Sequence, residues 1–257
     1  MKIQATLIAA LFAMARLAAA GSEDTAGNAP TEILVGAGAG LTSVLAELGE
    51  LYGKALPGVR IVNTFASSGS LAGQIERGAP IDVFIPASEE QMDSLAAKGL
   101  VDAESRRIVV STTLALVVKK SSSGITSFAD LATDRVSRIA LGEPSSVPAG
   151  KYAEQTLAFL GILETARTKA VYAKDVRQAA AWVAAGEADA ALAYPTALSG
   201  MDVKVVALAP KGSHSPVRFP GAVVSASERA REARAYLDWL SSPEAKAVFV
   251  RNGYAAE

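Results

Sequence analysis

Three serines crowd one predicted helix start in the stretch FASSGSLAGQIERG, residues 65–78. A strand is predicted to end just before them, so Ser67, Ser68 and Ser70 lie where the chain turns into a helix. Their hydroxyls can donate hydrogen bonds, as can the free backbone N–H groups of the first helical turn, and the helix dipole there favours an anion. Capping of the helix by one serine is the simpler use of such residues. The stretch is therefore either an ordinary cap or one wall of an anion site.

The stretch VGAGAGLTSVLAEL, residues 35–48, places three glycines between a predicted strand and an amphipathic helix. It does not fit the dinucleotide-binding fingerprint, because Leu41 stands where a third glycine or an alanine is required and no acidic residue ends the next strand near Thr64. It does not fit a phosphate-binding P-loop, since no Gly-Lys-Ser/Thr follows. What remains is a second helix start whose free N–H groups suit an anion.

Further along the chain, three more junctions offer hydrogen-bond donors and hold few lysines or arginines. In GEPSSVPAGKYAEQTL, Pro148 opens a predicted helix. In AKDVRQAAAWV, Asp175 is the expected cap and Val176 falls in the first turn. In ALAYPTA, Tyr194 ends a predicted strand, where its hydroxyl is either a free donor or part of a packed aromatic residue.

Short β-branched runs alternate with amphipathic stretches of helical period, which predicts an α/β fold with largely parallel strands. The predicted strands are 33–35, 59–63, 83–85, 108–110, 114–118, 139–141, 170–172, 190–193, 203–206 and 222–224. The predicted helices are 41–52, 70–77, 89–98, 150–160, 176–185, 228–240 and 243–251.

Two stretches indicate that the chain crosses between two lobes. RRIVVSTTLALVVKKSSSG is long for one strand and ends in a serine-rich turn, and KGSHSPVRFP interrupts the pattern with proline and glycine near residues 210–220. We therefore predict a discontinuous first lobe, residues 32–112 and 213–257, and a second lobe, residues 113–212.

The first twenty residues have the composition of a secretory signal peptide. Lys2 precedes an apolar stretch, interrupted only by Arg16, that ends in three alanines. We expect cleavage after Ala20 and a flexible leader over residues 21–31, with an ordinary N-terminal helix as the alternative. The chain has no cysteine, so we expect neither a lipid anchor nor disulfides. The expected location is the periplasm.

Composition and charge weigh against several classes of protein. A formal net charge of −1 over 257 residues argues against a nucleic-acid-binding protein. One histidine, no cysteine and scattered acidic residues such as Asp82, Glu89 and Glu90 argue against a metal-cation site. A serine hydrolase is the enzyme alternative, but no G-x-S-x-G surrounds any serine, and His214 is expected at a loop or hinge.

The order of these stretches resembles the periplasmic molybdate-binding proteins of ABC importers, which are type II periplasmic binding proteins. The resemblance runs from about residue 33 to 254 through GAGLTSVLAEL, FASSGSLAGQIERGAPIDVFIPAS, VPAGKYAEQTL, KDVRQAA and the Tyr194 strand end. It implies two α/β lobes, each a mostly parallel sheet flanked by helices, with the ligand in the cleft between them. It also implies a monomeric binding protein, not an enzyme, that needs no cofactor and delivers its ligand to an inner-membrane permease.

The resemblance also assigns five oxyanion ligands. Ser68 matches a residue that gives a hydroxyl and an amide. Ala149 and Val176 match residues that give backbone amides, and Tyr194 matches a residue that gives a phenol donor. Gly40 falls at a position where many members carry serine. Glycine at position 40 lacks that hydroxyl, so one donor is missing unless Thr42, Ser43 or a water supplies it. The implied ligand is molybdate or tungstate, and another small oxyanion such as sulfate stays open.

The cations near these junctions are not predicted to bind the anion. Lys151, Lys174 and Arg177 are placed for solvent or for ion pairs with Asp175 and Glu143. A site built only of neutral donors suits a fully deprotonated dianion, whereas a protonated phosphate would turn its own hydrogen toward another donor.

Overall fold

The computed structural model describes residues 29–256. The predicted signal peptide, and residues 21–28 of the predicted leader, lie outside this range. Within it, the strands form two separate sheets, and helices flank both of them. No helix of residues 29–256 is long and apolar enough to cross a membrane.

The first sheet contains six strands. In spatial order they are β2 (Val59–Ala66), β1 (Thr31–Gly38), β3 (Val83–Ile85), β10 (Val217–Val223), β4 (Arg107–Thr112) and β11 (Ala255–Ala256). Its helices are α1 (Thr42–Ala55), α2 (Ser68–Glu76), α3 (Glu89–Ala97), α7 (Ala230–Trp239) and α8 (Pro243–Arg251). We call this sheet with its five helices the first lobe.

The second sheet contains five strands. In spatial order they are β7 (Ala170–Ala173), β6 (Ile139–Gly142), β8 (Ala190–Ala193), β5 (Ala115–Lys119) and β9 (Val203–Leu208). Its helices are α4 (Pro148–Phe159), α5 (Leu163–Arg167) and α6 (Val176–Ala185). We call this sheet with its three helices the second lobe. Every residue of β6 and β8 is buried, as expected for strands covered on both faces.

Local sequence explains where the helices nearest the cleft begin. Ser67 caps α2, because its hydroxyl oxygen accepts the Ser70 N–H at 3.3 Å. Asp175 caps α6 as predicted, with the Gln178 N–H donating to its carboxylate at 2.8 Å. Pro148 stands in the first turn of α4, where its missing N–H costs no helical hydrogen bond. These caps fix the points at which the chain leaves each sheet.

All ten predicted strands are present, and four features differ from prediction. The strand β10 begins at Val217, whereas residue 222 was the predicted start. Pro220 does not end the strand because it lies at a bulge, where a strand tolerates proline. Helix α5 and strand β11 were not predicted. Both sheets are mixed instead of mostly parallel: β1 with β2 and β3, and β6 with β7 and β8, are parallel, and the other pairs are antiparallel.

Four strands in antiparallel pairs, β4, β5, β9 and β10, lie next to the two crossings between lobes. The chain passes from β4 in the first sheet to β5 in the second, and returns from β9 to β10. The predicted lobe limits, after residues 112 and 212, fall in these two connections and stay predictions. The carboxyl ends of the parallel strands lie at one edge of each sheet, so the turns that follow these strands line the cleft.

Candidate functional site

The carboxyl ends of the parallel strands of both sheets surround one small cavity. The turns after β1, β2 and β3 contribute from the first lobe, and those after β6, β7 and β8 from the second. The lining residues are Gly38, Ala39, Gly40, Ala66, Ser67, Ser68, Ala87, Val147, Pro148, Ala149, Asp175, Val176 and Tyr194. About 10 Å³ is open to the centre of a water molecule, so the cavity is small.

All five residues predicted from the sequence line this cavity. Gly40 lies in a 3-10 turn after β1, and Ser68 is the first residue of α2. Ala149 lies in the first turn of α4, and Val176 is the first residue of α6. Tyr194 comes directly after β8. Their role as ligands stays a prediction.

The cavity contains almost no formal charge. Among its described lining residues none is lysine, arginine or histidine, and Asp175 alone is ionisable apart from Tyr194. The Asp175 carboxylate is engaged by the Gln178 N–H as the cap of α6. Binding here must therefore come from hydrogen-bond donors and helix dipoles.

Backbone N–H groups supply the first set of donors. The first-turn N–H groups of an α-helix have no acceptor within that helix. None of the turn, loop and cap hydrogen bonds of residues 29–256 uses the N–H of Ser68, Ala149 or Val176. Three helices thus direct their positive ends, with free N–H groups, at one place.

The Ser68 hydroxyl is oriented by the neighbouring backbone. Its oxygen accepts the Ala87 N–H at 2.9 Å, and the side chain is fully buried. Because the oxygen is engaged as an acceptor, the hydroxyl hydrogen is left to donate to a ligand. Glycine at position 38 makes room for this pair, since a Cβ there would stand 3.3 Å from the Ala87 nitrogen and 3.5 Å from the Ser68 oxygen.

The Tyr194 hydroxyl is a buried donor with no partner. The residue is 1% exposed, and among the described residues none hydrogen-bonds its oxygen. The ring packs edge-on against Phe219, with centroids 6.0 Å apart. Burial raises the pKa of Tyr194 well above its ordinary value, so the group stays protonated at neutral pH. Because Tyr194 also lines the cavity, its hydroxyl is a donor available to a ligand bound there.

Gly40 is in contact with the same tyrosine. A Cβ at position 40 would stand 3.1 Å from Tyr194 Cδ2, which is tighter than most packing contacts, so the ring would have to shift by a few tenths of an ångström. The Gly40 carbonyl accepts the Tyr254 hydroxyl at 2.5 Å, which fixes the turn. The place that a serine side chain would take is therefore bordered closely by the Tyr194 ring.

Lys151, Lys174 and Arg177 do not line the cavity, and two of them have partners other than the predicted Asp175 and Glu143. Lys151 pairs with Glu90 of the first lobe instead of Asp175 or Glu143. The Arg177 guanidinium donates to the Ala197 carbonyl at 2.9 Å. His214 does not line the cavity; its Nδ1 lies 2.7 Å from the Ser215 carbonyl oxygen. No group of three or more histidine or acidic side chains in residues 29–256 is arranged to hold a metal ion.

Three supporting residues were not singled out from the sequence. Ala87 orients Ser68, Tyr152 donates to the Ala87 carbonyl at 3.3 Å across the cleft, and Gly69 contacts Ser146 across the cleft. Ala87 lies in the predicted stretch DVFIPAS, directly after β3, so its position at a strand end was the available indication. The other two contacts depend on how the lobes meet.

Comparison with known proteins places nearly all of the described residues in one family. The family model for bacterial extracellular solute-binding proteins matches residues 33–255. The molybdate-binding protein ModA of Escherichia coli (strain K12) is 38% identical over 253 residues, with 95% of this chain and 96% of that protein covered. A relative from Bacillus subtilis (strain 168), whose name describes it as a lipoprotein, is 34% identical, with 97% of each chain covered.

A solved structure agrees with the fold. It is a substrate-binding domain from Clostridium difficile, attributed to a molybdenum ABC transporter, with 35% identity and a TM-score of 0.69. The match covers 88% of this chain and 99% of that one. The predicted two-lobed type II fold and the predicted resemblance are both confirmed. The chain therefore belongs to the bacterial extracellular solute-binding protein family, whose members bind a solute and are not enzymes.

Proposed function

We propose that this protein is the substrate-binding component of an ABC importer and that it binds molybdate or tungstate in the cavity between its lobes. The observation that carries the proposal is the buried, unpartnered hydroxyl of Tyr194 beside three helix starts with unused N–H groups. A tetrahedral dianion can accept from all of them. The relatives named as molybdate-binding proteins support this choice of anion.

The five ligands in this proposal are Gly40, Ser68, Ala149, Val176 and Tyr194. Closing the lobes joins the two halves of the site, and the bound protein then delivers its ligand to a membrane permease. We further propose that the chain works as a monomer in the periplasm after removal of its signal peptide, without a lipid anchor or a cofactor.

Parallel titrations with molybdate, tungstate, sulfate and phosphate test this function. Thermal stabilisation follows RT ln(1 + [L]/Kd), which is about 4 kcal/mol at a thousandfold excess over Kd. We expect molybdate and tungstate to stabilise strongly and phosphate to have no effect, because its proton would face a donor. Stabilisation by sulfate alone would assign the site to sulfate, and no response to any of the four would reject an oxyanion site.

A second titration addresses Gly40. We expect Gly40→Ala to lower molybdate affinity about fivefold, because its methyl group would press on the Tyr194 ring at a cost of about 1 kcal/mol. Gly40→Ser has the same Cβ and adds a hydroxyl, so the ratio of the two affinities measures what that donor contributes. If Gly40→Ala binds molybdate as tightly as wild type, the Tyr194 ring can move aside without a cost in affinity.

A further inference from the structure

One backbone hydrogen bond joins the two lobes directly beside the cavity. The N–H of Gly69, in the first turn of α2, donates to the Ser146 carbonyl at 3.0 Å. Ser146 precedes α4 and so belongs to the second lobe. The neighbouring N–H groups have other uses: that of Ser70 is taken by the Ser67 cap, and that of Ser68 is the proposed ligand donor.

This contact leaves no room for a side chain. A Cβ at position 69 would stand 2.9 Å from the Ser146 carbonyl oxygen and 3.0 Å from its Cα. Both atoms belong to the backbone, so neither can move aside by a change of rotamer. The Ser146 N–H in turn donates to the Glu143 carbonyl at 3.1 Å, which holds this turn in place.

Two other contacts across the cleft are made by side chains. Lys151 of α4 pairs with Glu90 of α3, and both side chains are about half exposed. The Tyr152 hydroxyl donates to the Ala87 carbonyl at 3.3 Å. Long side chains can adjust to a small change in lobe spacing, whereas two backbone segments in contact cannot.

We propose that Gly69 sets how far the lobes close, and that the absence of a Cβ at this position lets the cavity close around its ligand. Gly69 is a positioning residue: its own N–H bonds the opposite lobe instead of the anion. This inference rests on the proposed function for the identity of the ligand, but its central claim concerns the distance between the lobes.

Gly69→Ala is the direct test, with Gly73→Ala as the matched control. Both glycines lie in α2, so either change raises helix propensity, whereas only a Cβ at position 69 is expected to hold the lobes further apart. A Cβ at position 73 would meet only the flexible end of Arg77, at 3.3 Å. We expect Gly69→Ala to lower molybdate affinity about tenfold, since fewer molecules reach the closed form, and Gly73→Ala to bind as wild type.

The lobe spacing can be measured without ambiguity because the chain has no native cysteine. Spin labels on Ala46→Cys of α1 and Ala158→Cys of α4, both exposed positions, report the distance between lobes by pulsed electron resonance. With and without molybdate, we expect Gly69→Ala to lack the shortest distances that the wild type reaches. If the variant reaches them, the proposal is wrong.

The two proposals fail in different ways. If the wild-type protein binds neither molybdate nor tungstate, the proposed function is rejected. The role of Gly69 would still be decided by comparing the shortest lobe-to-lobe distance of the ligand-free variant with that of the ligand-free wild type. A tenfold loss of affinity with unchanged lobe distances would assign Gly69 a different role and overturn the inference.

Discussion

Replacing Tyr194 with phenylalanine is expected to stabilise the ligand-free protein while weakening its binding of molybdate. The hydroxyl is buried with no partner among the described residues, and an unsatisfied group of this kind costs about 1–3 kcal/mol. A hydrogen bond to a charged ligand contributes about 1.5–3 kcal/mol, so its loss lowers affinity roughly 10- to 150-fold. Thermal unfolding without ligand and calorimetry with molybdate measure the two effects separately.

Tyr236→Phe is the matched control for this change. Tyr236 is also fully buried with an unpartnered hydroxyl, but it lies on α7 and does not line the cavity. It should gain stability in the same way and keep wild-type affinity. If Tyr194→Phe also binds molybdate with unchanged affinity, the phenol is not a ligand donor and the assigned site is rejected.

Replacing Ser68 with alanine is expected to lower both affinity and stability. The change removes one donor to the anion, again worth about 1.5–3 kcal/mol. It also leaves the buried Ala87 N–H without the acceptor that it has at 2.9 Å, which costs about 1–3 kcal/mol in the free energy of unfolding. Calorimetry and denaturant unfolding of the same preparation measure both losses.

Ser242→Ala separates the two losses. Ser242 caps α8 by accepting the Ala245 N–H at 3.2 Å, outside the cavity lining. Losing a cap costs about 1 kcal/mol of stability, and we expect no change in affinity. Equal affinity losses in both serine variants would trace the Ser68 effect to stability and not to a lost ligand contact.

The local pattern predicted the strand-to-helix junctions of the candidate site, and the family resemblance assigned the five residues within them. A β-branched run, a short turn and a helical period mark Ser68 and Val176 without knowledge of the tertiary structure. The carboxyl ends of parallel strands then bring these separate turns together. The burial and missing partner of the Tyr194 hydroxyl could not be predicted, since its environment comes from both lobes.

Long-range contacts mark the limit of that reasoning. The bond from the Tyr254 hydroxyl to the Gly40 carbonyl joins residues 214 positions apart, and nothing near either residue indicates it. The Lys151 and Glu90 pair spans 61 positions and replaces the local ion pairs that sequence favoured. The start of β10 was missed for a different reason, because Pro220 interrupts the pattern although a bulge accommodates it in the sheet.

The scarcity of charge around the cavity also governs how binding responds to the medium. Fixed opposite charges attract over a distance comparable to the Debye length, about 8 Å at physiological ionic strength, and salt weakens them. Hydrogen bonds from N–H and hydroxyl groups act at contact, inside a buried space where salt ions do not enter. Electrostatic steering therefore raises the association rate of the anion with this site only slightly. In return, its affinity varies little with ionic strength, so the protein can bind its anion equally well in dilute and in salty surroundings.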